Sequence, residues 1–469
     1  MPADQAGPVR TGPPHPVYAD LVDHNSLMRF GDDIEPGNPN GWPGYPEQLA
    51  AARMATGSRH AVMTGHATIQ GQPCVLIGFD FGFLGGSAGA AEGARITQAF
   101  EAAVADQLPV VCVAASGGSR MQEGTSALVQ MQAYAAAVAD ARRSGVPYIA
   151  VAADPTTGGV WSALIASADV LIGIAKARIS FSGSRTRPPG ADPDSPEFLA
   201  DGKWDHGFVD VLAPVAVVRT VVAAAIGLLS PRSRGTLERA PLPHWPSGAA
   251  PSEAAPSAWA QVSRARGDGI ARADKWLADY FGAVLELRGD RCGGVDTGLR
   301  CGFGRHLGAT IAYIAQTGAP TTPAGFRTAT RLLGLAARLR LPVLTLIDTP
   351  GAAAQPADEA AGVGTAIAEL LVAVAASPVP ITSVVIGEGV SGGAIAIASP
   401  DDLWIAPSGY FAVTAPELAA SILKLGAPDM PAVTQRLRLT PDDLVASGIV
   451  RGIIGPDGVT TADQPAEPR

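Results

Sequence analysis

The sequence lacks the charge pattern of a nucleic-acid-binding protein. Its 469 residues carry 34 Lys and Arg against 43 Asp and Glu, a formal net charge of −9. No run of basic residues is interleaved with aromatic ones. Because nucleic-acid binding depends on concentrated positive charge, the sequence excludes nucleic acid as an expected partner.

Cysteine is scarce, with four residues spread far apart at Cys74, Cys112, Cys292 and Cys301. No Cys-x-x-Cys pair is present. This spacing supports neither a disulfide framework nor a zinc ribbon, and we expect no bound metal. Cys74 and Cys112 fall in apolar runs, where a cysteine usually serves as a small buried hydrophobe.

The sequence also lacks a secretory signal and a clear membrane span. Its first 16 residues contain no charged segment followed by an apolar core. The most apolar long run, residues 211–230, is interrupted by Pro214 and Arg219, which favours a packed helix over a transmembrane one. We therefore expect a cytoplasmic protein that is not associated with a membrane.

What the chain does contain is a well-buried globular composition, 47% hydrophobic and 16% charged. Alternating residues over 60–81 predict two strands joined near Gln70-Gly71. Apolar strand patterns then alternate with Ala-rich helical ones. This order is typical of βαβ units and predicts an α/β fold with a mostly parallel sheet.

The second half of the chain repeats the first. The segment LPVVCVAASGG (108–118) compares with LPVLTLIDTPG (341–351), and equivalent glycines are separated by roughly 232 to 234 residues. A length of 469 residues also favours two domains. The predicted divisions are a disordered N-terminus (1–17), a first domain (18–230), a linker (231–257), a second domain (258–456) and a disordered C-terminus (457–469).

Two Gly-Gly turns are the main candidates for a functional site. SGGSRMQEG (116–124) follows an apolar strand pattern and precedes a helix, and VSGGAIAI (390–397) does the same in the second half. Such turns direct backbone N–H groups into a cleft, where they can stabilise an oxygen that becomes negative during a reaction. The predicted donors are Gly117, Gly118, Gly392 and Gly393.

These motifs resemble a known family. FLGGSAGAAEGARI, ASGGSRMQEG and YIAVAADPTTGGV make the first half similar to the β subunit of the acetyl-CoA carboxylase carboxyltransferase. ELRGDR, PAGFRTATRLL, IDTPGA and IGEGVSGGAIAI make the second half similar to the α subunit. The resemblance implies two tandem crotonase-like (ββα superhelix) domains.

The resemblance also implies an activity, the transfer of CO2 between biotin and the α-carbon of a short acyl-CoA through an enolate. No biotin attachment motif or ATP-grasp module is present. The implied partners are therefore a biotin carboxyl carrier protein, a biotin carboxylase and the acyl-CoA substrate. Family members place the site between protomers, so a homodimer or higher homo-oligomer is expected.

The family motifs assign further roles by position. The thioester is expected at the first Gly-Gly turn and biotin at the second. The implied substrate-binding residues are Gly85, Gly86, Ser116, Arg120, Gly158, Gly159 and Arg185. The implied cofactor-binding residues are Gly351, Val390 and Lys424.

The second half departs from the family pattern. Val390 replaces a glycine of GEGGSGG, and AAQPAD (353–358) replaces the usual Tyr-Pro-Gly stretch. These changes leave two alternatives open. One is a biotin-independent decarboxylase of a malonyl-type thioester carried by CoA or a carrier protein, and the other is a non-catalytic structural or regulatory paralogue.

Overall fold

The computed structural model describes residues 16–183, 190, 192, 195–230, 237–249 and 255–461. It divides into two compact units. Unit 1 comprises Met1–Asp205 and Val209–Pro231, and unit 2 comprises His206–Phe208 and Arg232–Arg469.

Unit 1 is built on one eight-stranded sheet with the order β1-β2-β3-β4-β5-β6-β8, in which β7 pairs with β5. Its first three strands are antiparallel, and the pairs from β3 onward are parallel. The strands are β1 (Met28–Arg29), β2 (Val62–Ile69), β3 (Gln72–Phe79), β4 (Val110–Ser116), β5 (Tyr148–Thr157), β6 (Val170–Ile174), β7 (Ile179–Ser180) and β8 (Val211–Ala213).

The helices of unit 1 precede, separate and follow its strands. They are α1 (Val17–Leu21), α2 (Tyr45–Thr56), α3 (Ala90–Asp106), α4 (Thr125–Leu128), α5 (Gln130–Arg143), α6 (Ala200–Asp205) and α7 (Val215–Leu229). Every residue of β4 is buried, as expected for a parallel strand with both faces covered.

Unit 2 repeats this plan with a nine-stranded sheet of order β17-β16-β14-β13-β12-β11-β10-β9, in which β15 pairs with β13. Its strands are β9 (Val284–Leu287), β10 (Leu299–His306), β11 (Ala309–Gln316), β12 (Val343–Thr349), β13 (Ile381–Val390), β14 (Leu403–Ile405), β15 (Tyr410–Ala412), β16 (Gly452–Gly455) and β17 (Gly458–Thr461).

The helices of unit 2 include two that match α3 and α5 of unit 1, namely α10 and α12. The full set is α8 (Ala258–Arg266), α9 (Ala273–Tyr280), α10 (Pro323–Leu339), α11 (Pro356–Ala360), α12 (Val363–Ala375), α13 (Ser391–Ile395), α14 (Pro416–Ile422), α15 (Met430–Arg436) and α16 (Pro441–Ala446). In both units an antiparallel hairpin leads into three parallel strands, so the repeat predicted from the sequence extends to strand order.

Local sequence signals account for several of these elements. The hairpin predicted over 60–81 is confirmed as β2 and β3, with Gln70 (φ 47°) and Gly71 (φ 76°) in its turn. Two successive positive φ angles match the right-handed twist of the paired strands. The apolar run 211–230 forms β8 and α7. In the part of the chain that the structure describes, no helix combines the length and apolarity needed to cross a membrane.

Part of the predicted linker packs onto unit 2. Ala240 is 3% exposed and lies in a core cluster with Trp276 and Trp404, and Trp245 packs against it. The hydroxyl groups of Tyr280 and Thr382 donate to the carbonyl oxygens of residues 241 and 240 at 2.8 and 3.0 Å. Residues 237–249 are therefore a structural part of unit 2, which the Pro-rich composition did not reveal.

The C-terminal segment also differs from its prediction. Gly458–Thr461, inside the C-terminal segment predicted to be disordered, forms β17 at the edge of the unit 2 sheet. Residues 1–15 and 462–469 lie outside the described residues. The predicted domain limits otherwise stay a prediction.

Candidate functional site

Three loops of unit 1 follow the carboxyl ends of the adjacent strands β3, β4 and β5, where ligands bind in open α/β sheets. Gly86 in the first loop has no room for a side chain, because a Cβ atom there would overlap the carbonyl oxygen of Ala115. Gly118 in the second has φ +105°, and a Cβ atom there would lie 3.3 Å from Gly158 Cα in the third. The structure thus brings the predicted glycine turns of unit 1 together.

The hydrogen bonds of these loops change the roles expected of individual glycines. The N–H of Gly117 donates to the carbonyl oxygen of Gly85 at 2.8 Å, and the N–H of Gly118 donates to Ser116 Oγ at 3.0 Å. These two groups, predicted to face a substrate oxygen, already have acceptors within unit 1. The prediction that they donate to the substrate is therefore disfavoured, since a donor engaged in the fold is not available to a ligand.

Gly159 offers a donor instead. The N–H of Gly158 donates to the carbonyl oxygen of Phe181 at 3.1 Å. Gly159 precedes the helical turn Val160–Leu164, and no side chain caps this turn. First-turn N–H groups of a helix lack intrahelical acceptors, so the N–H groups at Gly159 and Val160 are the better placed donors in unit 1.

Unit 2 repeats this arrangement after β11, β12 and β13. Gly393 packs tightly, since a Cβ atom there would lie 2.5 Å from the backbone nitrogen of Ala352. The side-chain Nε2 of Gln316 donates to the carbonyl oxygen of Gly393 at 2.8 Å. The N–H of Gly351 donates to Thr349 Oγ1 at 3.1 Å. Gly351, predicted to contact the cofactor, is thus buried and has an intramolecular acceptor.

Gly392 and Gly393 lie in the first turn of α13, which no side chain caps. Their N–H groups are the counterparts of those at Gly159 and Val160 in unit 1. A Cβ atom at Gly392 would meet nothing within 4 Å, so open space adjoins this turn. The two glycines predicted in the second half therefore keep donors suited to an oxygen that gains negative charge.

Val390 does not face this space. Its side chain is 2% exposed and lies in a core cluster with Val262 and Ala265 of α8 and with Tyr410. The prediction that Val390 binds the cofactor is not supported, because a side chain packed in the core cannot reach a ligand. The replacement of the family glycine by valine enlarges the core and leaves the loop open.

Arg120 is held inside unit 1. Its guanidinium group donates to Glu92 Oε1 at 2.8 Å and to the hydroxyl of Tyr45 at 3.2 Å, and that hydroxyl donates to Glu123 Oε1 at 2.6 Å. The Arg120 and Glu92 side chains are 0% exposed. This burial argues against the predicted contact between Arg120 and the substrate. Arg120 instead anchors the residues after Gly118 to the start of α3.

Unit 2 has two ion-pair groups beside its own loops that sequence reasoning missed. Arg266 of α8 donates to Glu388 Oε2 at 2.8 Å, and the Tyr410 hydroxyl donates to the same oxygen at 2.6 Å. Arg272 bonds to both carboxylate oxygens of Asp348 at 3.0 Å. Burial raises the pKa of Asp348 above its ordinary value, against the opposing charge of Arg272.

Only some of these buried polar contacts could have been predicted from the sequence. Glu92 lies at the third position of α3 and its carboxylate accepts from the N–H of Gly89 at 3.0 Å, a capping pattern that could have been recognised. Tyr45 is 75 residues from its partner Arg120, and Arg266 is 122 residues from Glu388. No local pattern predicts pairs of this separation.

The two remaining basic candidates are placed differently. Lys424 is exposed just after α14, with φ +57° and with exposed Ile422 and Leu423 beside it. Its predicted contact with the cofactor stays a prediction. Arg185 lies outside the described residues.

The described part of the chain contains no group of three or more His, Cys, Asp or Glu side chains able to hold a metal ion. Cys74 and Cys112 are buried free thiols, as the sequence predicted. Burial raises the pKa of each to about 12.

Comparison with known proteins assigns the chain to a family. Residues 254–467 match a family model described as acetyl co-enzyme A carboxylase carboxyltransferase-like, and residues 39–186 match a carboxyl transferase domain. The acetyl-coenzyme A carboxylase carboxyl transferase subunits beta/alpha of Salinispora tropica are 37% identical over 93% of this chain and 81% of that protein. A probable biotin-dependent acyl-coenzyme A carboxylase beta3 subunit of Mycobacterium bovis is 31% identical over 90% of this chain and 85% of that protein.

Solved structures show the same fold at lower identity. Transcarboxylase 12S, a hexamer solved with hydrolysed methylmalonyl-coenzyme A, has a TM-score of 0.76 at 22% identity, covering 97% of this chain and 91% of that chain. A single-chain long-chain acyl-CoA carboxylase has a TM-score of 0.74 at 20% identity, covering 94% of this chain and 45% of that chain. The predicted α/β fold of two tandem crotonase-like domains is confirmed. The chain belongs to the acetyl-coenzyme A carboxylase carboxyltransferase family, with a β-like and an α-like half in one polypeptide.

Proposed function

We propose that the chain is the carboxyltransferase of a biotin-dependent acyl-CoA carboxylase, which moves CO2 between biotin on a separate carrier protein and the α-carbon of a short acyl-CoA. The observation that carries the proposal is the 37% identity to carboxyl transferase subunits beta/alpha over 93% of the chain. The reaction needs stabilised oxyanions more than a nucleophilic side chain, which suits a site built from backbone N–H donors.

The unit 1 loops are proposed to receive the thioester. When the α-carbon of an acyl-CoA loses a proton or a carboxyl group, negative charge develops on the thioester oxygen. N–H donors that are already oriented stabilise such an oxygen, and one donor contributes about 3–4 kcal/mol in other enzymes. Gly159 and the following residue supply these donors. Gly85, Gly86, Gly117 and Gly118 shape the surrounding wall.

The unit 2 loops fit biotin. Whether these loops can hold the ring depends on the first turn of α13. Gly392 has free space beside it there, and no side chain caps the turn. Both features suit a flat ring with a carbonyl oxygen, and Gly392 and Gly393 are the residues proposed to hold that oxygen. Biotin when bound supplies the carboxyl group carried on its ureido nitrogen. Asp348, Arg272 and Glu388 keep the preceding strand ends in place.

The decarboxylase alternative has lost one of its arguments. It rested partly on Val390, which replaces a family glycine beside the biotin loop. This side chain packs against α8, and a Cβ atom at Gly392 would meet nothing within 4 Å, so Val390 does not fill the space beside Gly392. No described contact favours the non-catalytic alternative.

The partners and setting are part of the proposal. A biotin carboxyl carrier protein and a biotin carboxylase would complete the reaction, and the chain would act in the cytoplasm as a homodimer or larger homo-oligomer. A relative in fold, transcarboxylase 12S, is a hexamer. Light scattering of the purified chain tests this point, and a monomeric mass at micromolar concentration would contradict it.

Biotin dependence is the decisive experiment for the reaction. The purified chain is incubated with malonyl-CoA, with and without free biotin, and acetyl-CoA formation is measured. We expect biotin to raise the rate at least severalfold. Equal rates would replace the proposal by the decarboxylase. If no acetyl-CoA formed from malonyl-CoA and no propionyl-CoA formed from methylmalonyl-CoA under either condition, the non-catalytic alternative would be favoured.

A further inference from the structure

In each unit, the strand that leads into the second loop of the candidate site ends in a residue with a buried hydroxyl. Ser116 is the last residue of β4, Thr349 is the last residue of β12, and both are 0% exposed. The two positions correspond in the repeat, as do Gly118 and Gly351. The family resemblance implied that Ser116 binds the substrate, but its hydroxyl already bonds within unit 1 to the carbonyl oxygen of Gly86 and the N–H of Gly118.

In unit 1 the hydroxyl joins two loops. Ser116 Oγ donates to the carbonyl oxygen of Gly86 at 2.6 Å and accepts from the N–H of Gly118 at 3.0 Å. The first loop follows β3 and the second follows β4. One side chain therefore satisfies a carbonyl and an N–H that belong to different strand ends.

In unit 2 a different residue type makes the same connection. Thr349 Oγ1 lies 3.1 Å from the carbonyl oxygen of Ala319 and 2.8 Å from that of Gly351, and it accepts from the N–H of Gly351 at 3.1 Å. Ala319 corresponds to Gly86 in the repeat. Serine and threonine share only the hydroxyl, so the hydroxyl is the feature common to both units.

The backbone needs this help because the strand ladder is interrupted here. The register between β4 and β5 shifts between Ala114 and Ser116, and that between β12 and β13 shifts between Ile347 and Thr349. At such a shift the regular inter-strand bonds are lost. A buried N–H or carbonyl group without a hydrogen-bond partner lowers the stability of the fold. The hydroxyl supplies the missing hydrogen-bond partner.

The loops held by the hydroxyls touch the proposed donors. Gly118 packs against Gly158, immediately before Gly159, and a Cβ atom on Gly118 would lie 3.6 Å from the nitrogen of Gly159. Gly393 packs against Gly351 and Ala352. We call the turns that carry the proposed donors, Gly159–Val160 in unit 1 and Gly392–Gly393 in unit 2, the donor turns. A shift of the second loop in either unit would therefore move the donor turn that packs against it.

We propose that Ser116 and Thr349 are positioning residues, whose hydroxyls fix the donor turns of unit 1 and unit 2 for catalysis. The inference rests on the proposed carboxyltransferase function. It adds that each half of the chain sets its donor turn with its own buried hydroxyl.

The main variant is Thr349→Val, which keeps the size of the side chain and removes the hydroxyl. Because misplacing a catalytic group by about 1 Å can cost a hundredfold in rate, we expect kcat to fall about tenfold to a hundredfold with little change in KM. Thr349→Ser retains the hydroxyl and should stay within about threefold of the parent, since no donor or acceptor is lost.

Thr345→Val is the matched control for a purely structural role. Thr345 lies in the interior of the same strand and is 0% exposed. Its hydroxyl lies 2.6 Å from Ser383 Oγ and 2.9 Å from the carbonyl oxygen of Ile397. This control should lower the free energy of unfolding about as much as Thr349→Val and leave kcat per folded molecule unchanged. Equal kcat values for the two variants would overturn the inference.

Two further measurements cover other outcomes. Ser116→Ala, which adds no atoms to unit 1, should lower kcat in the same way if Thr349→Val does not fold. Amide hydrogen exchange tests positioning without turnover: Thr349→Val should speed exchange in peptides covering 350–353 and 391–394, while Thr349→Ser and Thr345→Val should not. Unchanged exchange would overturn the inference, whereas an inactive parent chain with the expected exchange pattern would contradict only the proposed function.

Discussion

Arg120 and Glu92 form an ion pair of 2.8 Å in which neither side chain has exposed surface. The pair connects the residues after the first Gly-Gly turn to the first turn of α3, and the Glu92 carboxylate also accepts from the N–H of Gly89. Charges taken out of water in this way are tolerated only when each has partners, so the pair holds the loop in one arrangement.

Breaking this pair should destabilise unit 1. Arg120→Met leaves the carboxylate of Glu92 buried without its counter-charge, and we expect a loss of about 3–5 kcal/mol in the free energy of unfolding. The double variant Arg120→Met with Glu92→Gln should lose less than the sum of the single variants, because the two groups interact directly. Urea denaturation of all three variants measures this, and additive losses would contradict the coupling.

Substitution at Gly392 should separate activity from stability. Gly392→Ala places a methyl group in open space within a helical turn, so stability should be unchanged or rise by up to about 1 kcal/mol. If the biotin ring occupies that space, turnover with biotin should fall at least about tenfold. Gly334→Ala in α10, where a Cβ atom also meets nothing within 4 Å, is the matched control and should keep full turnover.

Val390 should matter for stability and not for biotin. Val390→Ala removes buried methyl groups from the cluster with α8 and should cost about 2 kcal/mol. The KM for free biotin should remain that of the parent. Val262→Ala, in the same cluster, provides the comparison. A raised KM for Val390→Ala alone would return this residue to the cofactor site.

His60 should make stability depend on pH. It is 5% exposed, and neither ring nitrogen has a hydrogen-bond partner. Burial, reinforced by the charge of Arg95, lowers its pKa below the ordinary value of 6.5. The His60 ring therefore binds a proton more strongly in the unfolded chain than in the folded one. The stability that neutral His60 contributes is fully present above pH 6.5 and is lost as the pH falls through the lowered pKa of the folded chain.

The variant His60→Leu tests this dependence. Between about pH 7 and pH 5, the free energy of unfolding should fall more steeply for the parent than for His60→Leu, because only the parent must protonate a buried ring. Denaturant titrations at several pH values measure both slopes. Parallel slopes would show that His60 does not titrate differently in the folded chain.

Sequence reasoning located the glycine turns but not the direction of their hydrogen bonds. Gly118 is predictable because a positive φ and a close neighbouring backbone both require glycine at this position. The acceptor of the Gly117 N–H, however, is the carbonyl of Gly85 on another loop, and only the folded chain brings the two together. For the same reason the sequence placed Val390 beside the cofactor, although its side chain alternates into the core at the end of β13.

The distribution of thiols has a practical consequence for labelling. Cys74, Cys112 and Cys301 are buried, and burial raises the pKa of each, so few of these groups are reactive thiolates near neutral pH. Cys292 is exposed in the turn after β9. A maleimide fluorophore should therefore attach to the native chain at one position, in the α-like half, and could report the arrival of a carrier protein without any engineered cysteine.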